Sequence, residues 1–312
     1  MNHISINKGH DIKLSGVPSQ EIMQAPTPKS VSILPNHFRN VKPKLLVKEG
    51  DIVNIGSPLF FDKTKPEVKW ASPASGQIRT IQFGARRVVE KIEIAIKDNE
   101  KISFPALTQL NLESLDRNKI LDIILEANLF TLIRQRPFNK VADPKDTPRD
   151  IFISGHNSSP LSVDLQNLIE QERDAFQTGL TLLNKLTEGT VFLTLRSPMQ
   201  FENVLVQTIS GPHPSGNVGI QIHHTKPLKP GEVIWSVNAQ HVITLGKLFK
   251  TGSYDPAVIV SIGGSGATNP STVKTITGVN IGLLVEEQNL KEPARLISGD
   301  VLTGKTVENA DF

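Results

Sequence analysis

The sequence predicts an α+β multidomain chain: a β-domain over residues 1–105, a central α/β layer domain over 106–240 and a small β-grasp-like module over 241–312. Three patterns carry this prediction. Period-two apolar alternation, broken by frequent proline, dominates the first third. Apolar strands then alternate with helical spacing, as a largely parallel sheet with covering helices requires. Glycine-rich strand and turn patterns close the chain.

In the first segment, Ile78-Arg79-Thr80-Ile81 and Val89-Glu90-Lys91-Ile92-Glu93-Ile94-Ala95-Ile96 alternate as strands with one wet face. Pro26, Pro28, Pro35, Pro43, Pro58, Pro66 and Pro73 exclude helix there. Val47-Lys48-Glu49-Gly50-Asp51-Ile52-Val53, then Asp62-Lys63, then Ser72-Pro73-Ala74-Ser75-Gly76 resembles the core of a biotinyl- or lipoyl-carrier domain, a barrel-sandwich β-fold. A literal match makes Lys63 the attachment point of a swinging arm. A match of fold alone makes it an ordinary hairpin lysine. Thr64-Lys65-Pro66 and the long spacing to Ser72 favour the second reading.

The pattern turns helical near Thr108. Asp116 caps a helix whose Ile120, Ile123, Ile124 and Ala127 share one face. Pro137, Pro144 and Pro148 mark a loop, and Ile151-Phe152-Ile153-Ser154 reads as a buried strand. A long helical stretch is expected from about Val163 to Leu186, with Gly189 at its C′ position. Thr190–Leu195 and Val204–Val206 read as further strands. From about Val237 the chain is expected to be β-like again, with a strand at Ala257–Ile262, a short helix at Ile281–Val285 and strands near Leu296 and Val301.

Composition narrows function. The 312 residues, 38% hydrophobic and 21% charged, suit a folded multidomain protein. No apolar run reaches the roughly 18 residues of a membrane span, and the N-terminus lacks a signal-peptide apolar core. A net charge of +3 argues against a dedicated nucleic-acid binder. The absence of cysteine excludes disulfides, a cysteine nucleophile and thiolate-held zinc or iron–sulfur clusters. Two Trp and one Tyr make a stacked flavin site less favourable.

Several motifs carry possible chemistry. Gly299-Asp300-Val301-Leu302-Thr303-Gly304-Lys305-Thr306 has the form of a phosphate-binding loop, but six residues after it leave no room for the helix that chemistry needs. Ile153-Ser154-Gly155-His156-Asn157 places a turn at the end of a strand, where α/β sheets hold ligands; a plain strand-to-helix connection is the preferred reading. Gly211-Pro212-His213-Pro214-Ser215-Gly216 is a rigid turn. His223 and His224, read as strand neighbours, point to opposite faces and make a poor metal pair. In Arg134-Gln135-Arg136-Pro137-Phe138, two cations and an aromatic could hold a carbonyl oxygen and cover an apolar ring. A helix C-terminus stopped by proline is the preferred plain reading.

Together with Lys8-Gly9-His10-Asp11-Ile12, Trp235-Ser236-Val237-Asn238-Ala239-Gln240 and Ser298-Gly299-Asp300-Val301-Leu302-Thr303-Gly304, these motifs resemble, in order and over essentially the whole chain, the A subunits of the bacterial sodium-translocating NADH:quinone oxidoreductases. The resemblance implies a barrel-sandwich domain, a Rossmann-like layer similar to the nucleotide-binding subunit of respiratory complex I, and a β-grasp module of the SLBB type. It implies a peripheral subunit on the cytoplasmic side of the bacterial inner membrane, without a redox cofactor of its own. Five other subunits would carry NADH and the flavins, touch the membrane and export sodium. Ubiquinone is the implied ligand, with Arg134, Arg136 and Phe138 as contact candidates and no catalytic or metal-binding residue. Family members continue well past the point matching Phe312, so a C-terminally shortened chain is expected.

Overall fold

The structure is a computed structural model that describes residues 2–107, 111–286, 290–291 and 293–312. Thr108 lies outside these residues. The chain begins with β1 (Asn2–Ser5) and β2 (Ile22–Gln24), whose partners come from late in the sequence.

The barrel-sandwich follows: β3 (Ser30–Ile33), β4 (Pro43–Leu45), β5 (Ile52–Val53), β6 (Pro58–Asp62), β7 (Lys65–Ala71), β8 (Ser75–Phe83) and β9 (Val89–Asp98). They form two sheets, in the orders β3-β9-β8-β5 and β4-β6-β7. The Lys48–Asp51 turn closes through the Asp51 carboxylate, which accepts from the Lys48 amide at 2.9 Å. Between the sheets, Phe60 stacks on Trp70 at 4.6 Å and Phe38 tilts onto the same indole. Ile78 and Ile81 both reach this core although three residues apart. A register shift between Ile78 and Thr80 inserts Arg79 as an extra residue and restores the inward face.

The middle layer comprises α1 (Arg117–Glu126), β10 (Ile133–Arg136), β11 (Lys140–Val141), β12 (Ile151–Ser154), α2 (Leu165–Gln171), α3 (Arg173–Asn184), β13 (Val191–Leu195), β14 (Leu205–Ser210), α4 (Val218–Thr225), β15 (Ile234–Asn238) and α5 (Ala239–Thr251). One seven-stranded sheet runs β1-β14-β13-β12-β15-β10-β11. β1, β14, β13, β12 and β15 are parallel, and β10 and β11 complete the sheet antiparallel. As expected, Asp116 caps α1, accepting from the Lys119 amide at 2.8 Å. Ile120, Ile123 and Ile124 are fully buried beneath it.

One helical expectation is refined and two are corrected. The stretch from Val163 to Leu186 is two helices, broken at Glu172, whose backbone leaves the helical region. Its carboxylate accepts from Lys247 Nζ at 2.6 Å. Gly189 is no C′ residue, since Lys185 ends α3. It lies against the Arg149 carbonyl, where a Cβ would sit 1.8 Å from the oxygen. The chain after Val237 is α5 rather than β structure: Asn238 caps it by accepting from the Gln240 amide, and Val242, Leu245, Leu248 and Phe249 form its buried stripe. α5 crosses α3 at glycines, because a Cβ on Gly246 would stand 1.8 Å from the Ala175 carbonyl oxygen. α4 covers the other face of the sheet, over Phe152 and Phe192. His223 and His224 therefore lie on this helix and not on a strand.

The last module holds β16 (Ala257–Ile262), β17 (Ser271–Ile276), the expected short helix α6 (Ile281–Glu286), β18 (Leu296–Ser298) and β19 (Lys305–Val307). β16 pairs antiparallel with β17, and β2 adds to β17 in parallel. The main apolar core is continuous from the barrel into the middle layer. No helix among the described residues is long and apolar enough to cross a membrane.

Candidate functional site

The strand order reverses between β12 and β15. From β12 the chain steps outward through β13 to β14, then returns through α4 to β15 on the opposite side of β12. Open α/β sheets hold ligands outside the C-terminal ends of strands at such a point. A crevice of about 570 Å³ lies there, lined by Ser154 from the end of β12, by Asn238 from the end of β15, and by the first turn of α4.

One wall is β10. It pairs with β15 so that Arg134 faces Ser236 and Arg136 faces Ile234 across the ladder. Alternation on a strand places both arginines on one face, and both line the crevice. Gln135, between them, is buried on the opposite face, where its side-chain oxygen accepts from the Asp143 amide at 2.9 Å. Arg134 donates to the Asn139 carbonyl at 2.6 Å. Among the described residues Arg136 makes no ion pair and its buried Nε has no hydrogen-bond partner. Burial lowers the pKa of both guanidinium groups; Arg136 and Arg39 lower that of Arg134 further. Both remain charged at any physiological pH.

The floor is built by the proline-flanked turn. Gly216 takes part because its amide reaches Ser158 Oγ at 2.8 Å and a Cβ there would lie 2.2 Å from the Ser158 amide nitrogen. Ser158 Oγ also meets His213 Nδ1 at 3.1 Å. The Gln221 side-chain amide donates to Ser154 Oγ at 2.9 Å and to the Ser215 carbonyl at 3.2 Å, tying turn, strand and α4 together. Lys8-Gly9-His10-Asp11 docks on the same turn: the Asp11 carboxylate accepts from the His213 amide at 2.9 Å, and the His10 amide donates to the His213 carbonyl.

Two histidines line the cleft. His241, in the first turn of α5, contacts the Leu132 carbonyl through Nδ1 at 3.2 Å, which sets Nδ1 as the protonated nitrogen. Burial holds its pKa below the ordinary value, with Arg134 acting the same way against the Leu132 bond. Burial and then Arg196 lower His156, against Asp164 and Asp11. Both are neutral acceptors or donors near neutral pH. The described residues offer no group of three metal-ligating side chains.

The sequence candidates separate. Arg134 and Arg136 share the crevice, on a strand and not at a helix end. Phe138 is 74% exposed and does not line it. The Ser154–Asn157 turn, whose plain reading is a strand-to-helix connection, supplies Ser154, His156 and Asn157 to the lining. Asn238 and His241 also line the crevice, and the β-like pattern of the sequence after Val237 hides the helix that carries His241 there. Lys63 is exposed at the tip of the β6–β7 hairpin, over 70 residues from the cleft in sequence. That hairpin is anchored: Asp62 is buried and accepts from the Thr64 amide at 3.0 Å. Lys65 pairs with Asp143 of the middle layer at 3.3 Å. Gly299–Thr306 forms the β18–β19 hairpin with an Asp300-centred turn, and residues 307–312 are not helical.

Fold and cleft define a modular α+β protein in which a carrier-type barrel precedes, and a β-grasp module follows, an α/β layer with a switch-point crevice. The family comparisons match this division. The model described as the NqrA N-terminal barrel-sandwich hybrid domain matches residues 4–97. That for the NqrA second alpha/beta domain matches 115–254, and that for the NQRA C-terminal domain matches 259–309. The A subunit of the Na(+)-translocating NADH-quinone reductase of Marinomonas sp. is 36% identical over 303 residues, covering 96% of this chain and 68% of that protein. Its counterpart in Pasteurella multocida is 36% identical over 307 residues, covering 96% and 69%. That of Pseudomonas aeruginosa is 35% identical over 312 residues, covering 98% and 70%. The chain belongs to the NqrA family, the A subunits of Na(+)-translocating NADH-quinone reductases. Among solved structures, an NAD+-reducing nickel–iron hydrogenase in its air-oxidized state aligns at a TM-score of 0.43 and 13% identity, over 60% of this chain and 43% of that one.

Proposed function

We propose that the chain acts as a subunit of an Na(+)-translocating NADH-quinone reductase, in which NADH is oxidised, a quinone is reduced and sodium is moved. The observation that carries this reading is the match of all three family domains in order along the chain. In this proposal the subunit is peripheral, on the cytoplasmic side, and meets the membrane through five partner subunits. The flavins and the NADH site belong to those partners, and this chain contributes to the handling of ubiquinone. The lack of cysteine supports a subunit without an iron–sulfur cluster of its own.

Within this role, Arg134 and Arg136 are the groups that would donate to a quinone carbonyl oxygen, which gains negative charge on reduction. Phe138 would reach such a ligand only outside the cleft, given its exposure. Calorimetric titration of the purified chain with a short-chain ubiquinone analogue tests the contact. Saturable binding that weakens in Arg136→Ala is expected. Absence of saturable binding, or equal binding in the variant, removes direct contact through β10. Co-purification with tagged partner subunits tests the subunit role separately, and failure to co-purify would count against it.

A further inference from the structure

The charge inventory of the crevice goes beyond the quinone reading. Its lining includes Arg134 and Arg136 but no Asp or Glu. Neither arginine forms an ion pair among the described residues, although ten ion pairs occur elsewhere among them. Arg136 Nε is buried without a hydrogen-bond partner among the described residues. Holding two guanidinium groups side by side and partly out of water is costly unless an anion meets them. The start of α4, which shares the crevice, is also electropositive. α4 begins at Asn217 without a side-chain cap, and its first-turn residues Val218 and Gly219 line the crevice. A Cβ added at Gly219 would meet nothing within 4 Å, so the backbone there is open to a ligand. Backbone amides at a helix start favour anions, and here they share a cavity with two unpaired arginines.

We propose that the switch-point crevice binds the anionic group, a phosphate or a carboxylate, of a small molecule, clamped between Arg134 and Arg136 on β10 and the first turn of α4. A neutral quinone head group would not by itself answer this charge. The site therefore selects a charged ligand, or a charged moiety of a larger one, whether or not quinone also contacts the arginines. The cavity of about 570 Å³ is large enough for a small organic anion.

The test is calorimetric titration of the whole chain with inorganic phosphate, pyrophosphate and succinate, in separate arms at fixed ionic strength set with sodium chloride. Saturable one-to-one binding is expected in the phosphate-type or the succinate arm, and the arm that saturates identifies the source of the anion. Arg136→Gln and Arg134→Gln should each weaken binding about tenfold or more, the loss of one charge-assisted hydrogen bond. Arg136→Lys should retain part of it, and Arg79→Gln, on the barrel, should leave it unchanged. Melting curves of each variant identify any that fail to fold, and the parent titration stands without them. Absence of saturable binding in every arm overturns the proposal, as does binding equally weakened by Arg79→Gln. The outcomes separate from those for quinone: anion binding without quinone binding removes only the quinone contact, and the reverse removes only the anion site.

Discussion

Replacing Gly246 by alanine sets two effects of known size against each other. At an exposed position in the middle of a helix, Gly→Ala stabilises by about 1 kcal/mol, because alanine loses less backbone freedom. At Gly246 the new Cβ would stand 1.8 Å from the Ala175 carbonyl oxygen and 3.0 Å from the Gly179 amide nitrogen. The nearest obstacle is backbone and cannot rotate away. Opening the contact from 1.8 Å to even 3.0 Å requires α5 and α3 to part by about a tenth of a helix diameter. A radial gap of about 0.5–1 Å already forfeits a quarter to a half of each dispersion contact. The helices share Leu180, Leu183, Val242 and Phe249 in one buried core, so the loss spreads over large side chains. Overpacking of this kind costs about 1–3 kcal/mol and at times more. Subtracting the propensity gain leaves a net loss of roughly 0–2 kcal/mol. The measurement is urea unfolding followed by circular dichroism, comparing transition midpoints. Gly179→Ala opens the same crossing, since its Cβ would lie 2.3 Å from the Val242 carbonyl oxygen. The double variant should therefore lose less than the two single losses combined. A Gly246→Ala protein more stable than the parent by about 1 kcal/mol would refute the packing argument and leave only propensity.

Other outcomes follow from the same structure. Asp150 is fully buried, and its carboxylate meets Lys226 Nζ at 2.8 Å, Arg149 Nε at 2.6 Å and the Thr190 amide at 3.0 Å. Burial raises its pKa, but these bonds outweigh burial and hold it below the ordinary value. Asp150→Asn should cost about 2 kcal/mol in thermal or urea unfolding, less than a fully buried pair because Lys226 is half exposed. The stabilisation from the ionised group is complete above the unfolded value near ~3.9 and is lost as pH falls through the folded value. The variant should therefore lose less stability than the parent between neutral pH and that acid range; equal losses would argue against Asp150 as a source of acid sensitivity. Asn238→Ala should cost about 1 kcal/mol through loss of the α5 cap, and Asn238→Ser should largely restore it, both read from thermal midpoints. Co-expression with lipoyl and biotinyl ligases should leave the intact mass unchanged; a mass gain mapped to Lys63 would revive the carrier reading.

Much of the architecture is legible in local pattern. The barrel announces itself through short-range features: the Lys48–Asp51 turn, the Asp62 hairpin and the alternation of β8 and β9, each closed by contacts among residues near in sequence. α1 is legible because cap and apolar stripe lie within a dozen residues. The absence of cysteine settles thiolate chemistry from composition alone. The order of motifs along the chain is enough to indicate the family.

What sequence does not determine depends on partners far along the chain. Ile133–Arg136 carries four residues of alternation, too few to outweigh the proline after it, and becomes a strand only because β15, a hundred residues on, pairs with it. α5 has a clear apolar stripe but is obscured by its glycine and threonine content; Gly246 permits the close crossing of α3. β1 and β2 join sheets completed some 200 residues later, and no local signal assigns such partners. The crevice itself is a product of strand order. Residues from β10, the β12 turn, α4 and α5 converge because the sheet reverses direction between β12 and β15. Sequence determined which side chains were available. Tertiary structure decided which of them share a cavity, because hydrogen-bonded register fixes faces and neighbours across separations that periodicity cannot span.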